Sequence, residues 1–400
     1  MKRLLLIFDS TFAHYDTEGS LYFHGALTDA MWERYLAICD DLVVVVRRDR
    51  EVYSVEEAQR RFRKAPSAHI HVRFIENPRA SFRNFFSKAL KHRNEAVLDE
   101  EIAKADGVII RTFSSASVSF FLHTVAKYKK KYLYECIGHT WDAMWNYGWR
   151  GKVLAPFSYY HARRLAARAD RVLYVTEKFL QKHYPSDAPQ IGVSDVDIPP
   201  CTEDILQQRL AKIREPHDKI VLGTTAAIDV SYKGQEFVIR AIGKLKRQGD
   251  TRFIYQMAGT GDKARLLRIA EQEGVSSQIE FLGALPHDGV LKWLHSIDIY
   301  VQPSLLEGLP RALVEAMSTA LPAAATCVGG IPELLPDSSM FPRKDVSRLV
   351  DRLKDLADPG RMEQEARRNF ERAKHYEHDK VDARRSKFYK DFDNDCMQIS

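Results

Sequence analysis

Two successive series of short apolar runs, each separated from the next by a longer amphipathic stretch, constrain the fold of this chain more tightly than any other feature. Residues 1–8, 42–46, 108–110, 132–134 and 172–175 form the first series, and 220–224, 253–257, 279–282, 299–301 and 323–326 the second. Runs this short, apolar on both faces, read as strands of a parallel sheet covered by helices, the doubly wound arrangement. In the second series the intervening helices are predicted at 235–247, 262–273, 288–294 and 311–318. Between the series, around 194–216, the alternation stops at Asp195, Asp197, Pro199 and Pro200, which marks a crossing. A chain of 400 residues exceeds what one hydrophobic core organises, so two lobes are expected. The predicted fold class is α/β, with two Rossmann-like doubly wound domains facing across a cleft. The expected parts are a first domain over 1–197, a linker over 198–218, a second domain over 219–361 and a helical tail over 362–400 that packs back on the first domain.

Composition narrows the class further. Hydrophobic residues make up 45% and charged residues 28%, which supplies two full cores and excludes a disordered chain. No stretch approaches the roughly 20 apolar residues that span a bilayer, and the run from Leu4 to Phe8 is too short for a signal-peptide core, so a cytoplasmic protein is expected. Cys39, Cys136, Cys201, Cys327 and Cys396 are scattered and form no C-x-x-C pair, which points to reduced thiols rather than a disulfide framework or a structural zinc. The net charge of +6 has its excess in the first half, with clusters at Arg60, Arg61, Arg63 and Lys64 and at Lys127, Lys129, Lys130 and Lys131. Solvated helix faces are the plainer account of them; an anionic membrane surface is the second. Asp195-Val196-Asp197 has the form of a D-x-D metal motif but sits in the crossing segment and is read as incidental.

The chemistry is densest between Ile297 and Leu335. A strand ends at Gln302-Pro303-Ser304, and Leu305-Leu306-Glu307-Gly308-Leu309-Pro310 leads into a helix predicted to start near Leu309. Pro310 suits a first turn, where its missing N–H would go unpaired anyway. A helix N-terminus at the carboxyl end of a parallel strand offers free N–H groups and the positive end of the helix dipole, which would stabilise a diphosphate. Glu307 can accept hydrogen bonds from sugar hydroxyls, and Glu315, roughly two turns into the helix, from a second polyol such as ribose. Taken alone, the same pair reads more readily as a helix-terminal acid and a surface residue.

The surrounding text is more specific. Glu307 and Glu315 form an E-x(7)-E pattern within PSLLEGLPRALVEAM, followed by LPAAATCVGGIPEL and preceded, in order, by Ala258-Gly259-Thr260-Gly261-Asp262 and Ile279-Glu280-Phe281-Leu282-Gly283. Over residues 220–335 the chain resembles the donor lobe of glycosyltransferase family 4, whose members have the GT-B fold. The resemblance implies a metal-independent, retaining enzyme without a cofactor that moves a sugar from a nucleotide-sugar donor to a glycan or lipid-linked acceptor. Residues 1–197 are then the acceptor side and 219–361 the donor domain. It assigns Glu307 to the transferred sugar, Glu315 to the ribose, Gly308, Leu309 and Pro310 to sugar and phosphate, Gly261 to the donor, and Lys233 of Lys233-Gly234 to phosphate. It also implies an Arg five residues before that Lys, where Ile228 stands, so one phosphate cation is missing.

In the first lobe, Tyr132-Leu133-Tyr134-Glu135-Cys136-Ile137-Gly138-His139 reads as a strand running into a loop, and strand carboxyl ends are where such sheets bind ligands. The resemblance makes His139 a catalytic group near the donor sugar; a lone histidine is also commonly structural. Trp141, Trp145 and Trp149 follow at spacings of four, which aligns them on one face if the segment is a single helix and suits core packing, an acceptor sugar or a lipid interface. Trp141 and Trp145 are the acceptor-side candidates. The first strand-to-helix connection, from Asp9 through Gly19 to His24-Gly25, lacks a double glycine, and Gly19 or Gly25 could approach phosphate there.

A basic first lobe without a membrane span suggests a lipid-linked or surface-polysaccharide acceptor at the inner face of a bacterial membrane. Nucleic acid is not an expected partner, because paired carboxylates in the site oppose a phosphate polymer. The competing readings are a sugar-nucleotide epimerase or a phosphorylase on the same fold, and a non-catalytic basic binding protein.

Overall fold

A computed structural model of the chain describes all residues except 24–28, 66–68, 78–83, 85–86, 113–116, 147, 217 and 399–400, so His24-Gly25 lies outside the described residues. The chain divides into two units. The first holds Met1–Val175, Gln181–Gly192 and Arg384–Ser400, and the second Thr176–Leu180 and Val193–Ala383.

The first unit is built on β1 (Arg3–Asp16), β2 (Leu21–Phe23), β3 (Asp41–Tyr53), β4 (Arg63–Lys64), β5 (Ile70–Ile75), β6 (Gly107–Thr112), β7 (Lys131–Cys136), β8 (Arg171–Tyr174) and β9 (Gln190–Gly192). The parallel ladder runs β5-β3-β1-β6-β7-β8-β9, with the order reversing at β1 and β6. Leu4, Leu5, Leu6 and Ile7 have no exposed surface, as expected of a central strand covered on both faces. Beyond Phe8 the strand pairs antiparallel with β2, and β2 in turn with β4, so one corner of the sheet is antiparallel. The sequence reading ended this strand at residue 8 because Asp9, Ser10 and Thr11 break the apolar run. Pairing with β2 on one side and with β3 on the other, rather than continuous burial, extends it.

The second unit contains β10 (Ile220–Thr225), β11 (Phe253–Ala258), β12 (Ile279–Gly283), β13 (Ile299–Gln302), β14 (Ala323–Thr326) and β15 (Met340–Phe341), all parallel, in the order β12-β11-β10-β13-β14-β15. The chain proceeds outward from β10 to one edge, then returns to β13 and proceeds to the other. The point of reversal, at the carboxyl ends of β10 and β13, is where open α/β sheets hold ligands. The Gln235–Arg247 helix turns Val238, Ile239, Ile242 and Leu245 into the core at the three- and four-residue spacing of one helical face.

Two expected boundaries change. Residues 198–218 are not a free linker: their Glu203–Arg214 helix buries Leu206, Leu210 and Ile213 in the second core. The buried Arg209 of that helix donates to the carbonyls of Leu294, Ile297 and Thr319 at 2.8, 2.7 and 3.3 Å. The 362–400 tail is split as well, since Met362, Ala366 and Phe370 pack into the second core, whereas Phe388, Tyr389, Phe392 and Cys396 of the His378–Met397 helix pack into the first. Within the first unit that last helix is anchored by Glu135, a fully buried carboxylate that accepts from Tyr389 Oη at 2.6 Å, Arg111 Nη1 at 2.6 Å and Tyr35 Oη at 3.0 Å.

Candidate functional site

The carboxyl ends of β10 and β13 bring Lys233 and Glu307 together. After β10 the chain makes a tight turn at Ser231–Lys233, and Gly234 follows with φ +74°, a conformation that favours glycine. Two contacts press this turn onto the segment after β13: the Leu305 N–H donates to the Tyr232 carbonyl at 2.7 Å, and a Cβ at Gly234 would overlap the Pro303 carbonyl. As a result the Lys233 ammonium reaches the Glu307 carboxylate at 2.8 Å, with both side chains partly exposed.

A chain of buried polar groups fixes the carboxylate from below. Tyr300 on β13 accepts the Thr225 N–H at 3.3 Å and donates to Gln302 Oε1 at 3.2 Å. Gln302 Nε2 in turn donates to Glu307 Oε1 at 3.0 Å and to Ser304 Oγ at 2.8 Å. Thr326 on β14 donates to the Ser304 carbonyl at 2.5 Å and ties the neighbouring strand to the same loop. Burial raises the Tyr300 phenol well above its ordinary value, the carboxylates of Glu315 and Glu307 raise it further, and the hydrogen bond from Thr225 opposes them. Both glutamates therefore act electrostatically on one buried phenol. Of this set, Gln302 and Ser304 stand at the predicted strand end with no role assigned by the sequence, and Tyr300 and Thr326 carry no sequence signal beyond lying in strands.

The loop that follows is shaped by Gly329 and Gly330. Gly329 has φ +57°, and a Cβ there would overlap the Glu307 carbonyl oxygen; the Gly330 N–H donates to the Gly308 carbonyl at 2.6 Å. Because C=O and N–H of one trans peptide point in opposite directions, the N–H groups of Gly308 and Leu309 face away from the glycine turn. Farther on, Glu333 accepts the N–H groups of Glu177, Lys178 and Phe179 at 2.6, 3.1 and 2.7 Å, which anchors this segment within the second unit.

The helix begins two residues beyond Leu309, at the Arg311 start that the strand-helix alternation gives. It spans Arg311–Ser318, with Pro310 as its N-cap rather than at its first helical position. Pro310 and Leu309 are buried, and Gly308 is half-buried. The first helical N–H groups have no partner within the helix, as at any helix start. Glu315 is accordingly its fifth residue, about one turn in rather than two. On the neighbouring strand pair, Gly261 sits with φ +128° where a Cβ would crowd the Asp229 amide and carboxylate, and the Ile228 N–H donates to the Thr260 carbonyl at 2.8 Å. Ile228, at the position where the resemblance implies an arginine, is 3% exposed and part of the second core.

His139, Trp141 and Trp145 belong to the first unit. His139 caps the Thr140–Trp145 helix; its Nδ1 lies 2.9 Å from Asp142 Oδ2, and its ring centroid is 4.3 Å from that of His183. Trp141 and Trp145 stack with centroids 5.6 Å apart. Trp149 is not on their helix: Gly148, with φ +76°, starts a new one over Gly148–Arg168, so the three tryptophans do not form one face. Asp197 pairs with His378 Nδ1 at 2.8 Å, a contact internal to the second unit. No helix among the described residues is long and apolar enough to cross a membrane.

Residues 219–358 match the family model described as Glycosyl transferases group 1. The chain is similar to Protein CapJ of Staphylococcus aureus, with 28% identity over 336 residues, 82% of this chain and 80% of the relative. It is also similar to the putative colanic acid biosynthesis glycosyltransferase WcaL of Escherichia coli strain K12, with 36% identity over 30% of this chain and 32% of that one, so only about a third of WcaL is spanned. Among solved structures, sucrose-phosphate synthase from Thermosynechococcus elongatus shares the fold with TM-score 0.67 and 13% identity, over 98% of this chain and 99% of that one. Anabaena HepE in complex with UDP-glucose shares it with TM-score 0.62 and 14% identity, over 98% and 100%. Residues 219–358 therefore form a glycosyltransferase group 1 domain, and the chain is a glycosyltransferase with the GT-B fold.

Proposed function

We propose that this glycosyltransferase is a retaining, metal-independent enzyme that transfers a sugar from a nucleotide-sugar donor to a glycan or lipid-linked acceptor of bacterial surface polysaccharide. The observation that carries the reading is the convergence of Lys233 and Glu307 at the reversal point of the second sheet. The UDP-glucose held by Anabaena HepE, which has the same fold, and the colanic acid role in the name of WcaL are consistent with that donor and acceptor class.

On this reading, donor binding exchanges partners. Lys233 leaves Glu307 for the diphosphate, and Glu307, still held by Gln302, turns to the sugar hydroxyls. The backbone N–H groups of Gly308, Leu309, Arg311 and Ala312 and the dipole of the Arg311–Ser318 helix stabilise the negative charge that grows as the anomeric C–O bond breaks. The acceptor hydroxyl bonds to the anomeric carbon on the face the diphosphate leaves, and its proton passes to the departing phosphate oxygen. Glu315 receives the ribose hydroxyls, and Gly261 leaves room for close approach of the donor. His139, oriented by Asp142, is the first unit's assigned catalytic group, and Trp141 and Trp145 are its acceptor contacts. Lys233 and the helix N-terminus together meet the diphosphate charge, so transfer is expected to persist in excess chelator. The enzyme works on the cytoplasmic side of the cell membrane, associated with it peripherally.

Thermal-shift screening against a panel of sugar nucleotides tests the reading. One or more should raise the melting temperature of the wild type, and Glu307→Gln should retain nucleotide binding while losing transfer. No shift with any sugar nucleotide would overturn it.

A further inference from the structure

Large apolar side chains exposed among the described residues are concentrated in one place. Trp145, Trp149, Val153, Phe157 and Tyr160 are 44 to 72% exposed, whereas the others, Val52, Leu267 and Met397, are far apart in sequence. Four of the five lie on the 21-residue Gly148–Arg168 helix. At about 100° per residue, Trp149, Val153, Phe157 and Tyr160 share an arc of about 80°. Arg150 and Arg168 border that arc on one side, Lys152 and Arg163 on the other, and Arg164 falls inside it one turn beyond Tyr160, where it sits over the Tyr160 ring at 5.7 Å and donates to Ser119 Oγ at 2.9 Å. The opposite face carries Gly151, Ala155, Ser158, Ala162, Leu165 and Ala166, all buried in the first unit. The helix thus packs inward through small residues and presents its bulkiest apolar side chains outward, the reverse of an ordinary surface helix.

Charge identifies the occupant. No acidic residue lies between Asp142 and Asp170, so the basic rims have no carboxylate on their own helix. Instead Arg150 sits over the Trp149 ring at 5.4 Å and Lys152 over the Trp145 ring at 5.6 Å, which places cations at the border of the apolar stripe. A second copy of this chain on the same stripe would set like-charged rims against each other. An anionic bilayer meets both features, with acyl chains for the stripe, phosphate headgroups for the rims and the interface itself for Trp and Tyr.

We propose that the Gly148–Arg168 helix docks this protein on an anionic lipid bilayer. It lies in the plane of the interface, with Trp149, Val153, Phe157 and Tyr160 buried below the headgroups and Arg150, Lys152, Arg163 and Arg168 among them. The inference rests on the proposed membrane-side acceptor chemistry and adds the surface that meets the membrane.

Co-sedimentation of the full chain with phosphatidylcholine vesicles, with and without phosphatidylglycerol, tests it. The wild type should bind only the anionic vesicles, and more weakly as salt rises. The triple variant Trp149→Ser, Phe157→Ser, Tyr160→Ser should lower partitioning by about tenfold or more, and Arg150→Glu, Lys152→Glu, Arg163→Glu should do likewise. Failure of the wild type to bind, unchanged binding of either variant, or a wild-type dimer that the stripe variant dissociates would overturn the proposal. Sugar-nucleotide thermal shifts of the same proteins separate the two readings. Retained shifts without vesicle binding defeat the docking surface alone, and vesicle binding without any shift defeats the donor assignment alone.

Discussion

The Lys233 ammonium and the Glu307 carboxylate, 74 residues apart in sequence, meet at 2.8 Å where the second sheet reverses its strand order. Each is the other's counter-ion without a donor, so the site holds both charges in place before a substrate supplies new partners. Glu307→Gln should lower transfer by about a hundredfold or more, since it removes the charge and keeps the shape. A partly exposed pair contributes at most about 1 kcal/mol to stability, so the melting temperature should move by only a few degrees. Lys233→Ala should raise KM for the donor. Steady-state kinetics with circular dichroism melts separates these effects, and near-normal turnover of Glu307→Gln would rule out its assignment.

Gln302 positions Glu307 and is itself positioned by Tyr300. Tyr300→Phe removes the donor to Gln302 and leaves the Thr225 N–H without its acceptor, at a cost of about 1–2 kcal/mol. The expected kinetic signature is a lower kcat with a smaller change in donor KM, because the carboxylate is still present but less firmly held. An equal loss in a nucleotide-binding assay would assign Tyr300 to binding instead.

Gly329 adopts φ +57° against the Glu307 carbonyl, whereas Gly274 adopts φ +68° with open space around it. Gly329→Ala should destabilise the protein by about 2–4 kcal/mol and suppress transfer, since both the backbone conformation and a backbone clash oppose it. Gly274→Ala carries only the conformational cost of about 1 kcal/mol and should leave transfer intact. Similar melting temperatures for the two variants would contradict the overlap.

Ile228 lies in the second core where the resemblance implies a phosphate-binding arginine. Ile228→Arg should therefore fail to tighten donor binding and should destabilise the fold by about 3–5 kcal/mol, the cost of an uncompensated buried charge. Tighter sugar-nucleotide binding in this variant would show that the side chain can swing out of the core.

His161 and His183 of the first unit have pKa values lowered from the ordinary 6.5. Burial is the main cause in both, assisted by Arg164 for His161 and by His139, Lys182 and Arg163 for His183, where Asp142 opposes. The unfolded chain then binds protons that the native state refuses. Stability contributed by these groups is complete above about pH 6.5 and declines as pH falls below it. A melting-temperature series from about pH 8 to pH 5.5 should fall more steeply for the wild type than for His161→Gln, His183→Gln. Parallel curves would exclude these two groups as the source.

Much of the second unit was legible because its strands are buried on both faces and so appear as unbroken apolar runs. The start of β14 at Ala323 and the helix from Arg311 to Ser318 fall where the pattern put them. The first unit was less so. β1 runs to Asp16 through residues with no apolar run, and the 198–218 stretch looked like a linker because its helix is largely polar, with Leu206, Leu210 and Ile213 as the buried stripe.

Local sequence determined which elements form, since apolar period, prolines and glycines act within a few residues of where they stand. It also supplied Glu307, Glu315 and Lys233 as chemical types in a recognisable order. Only the tertiary structure decided that Lys233 meets Glu307, that Tyr300 and Gln302 hold the carboxylate, that Ile228 is committed to the core, and that Trp149, Phe157 and Tyr160 face outward. Those outcomes depend on strand order and on which face of each element is covered, and both arise from contacts between segments far apart in the chain.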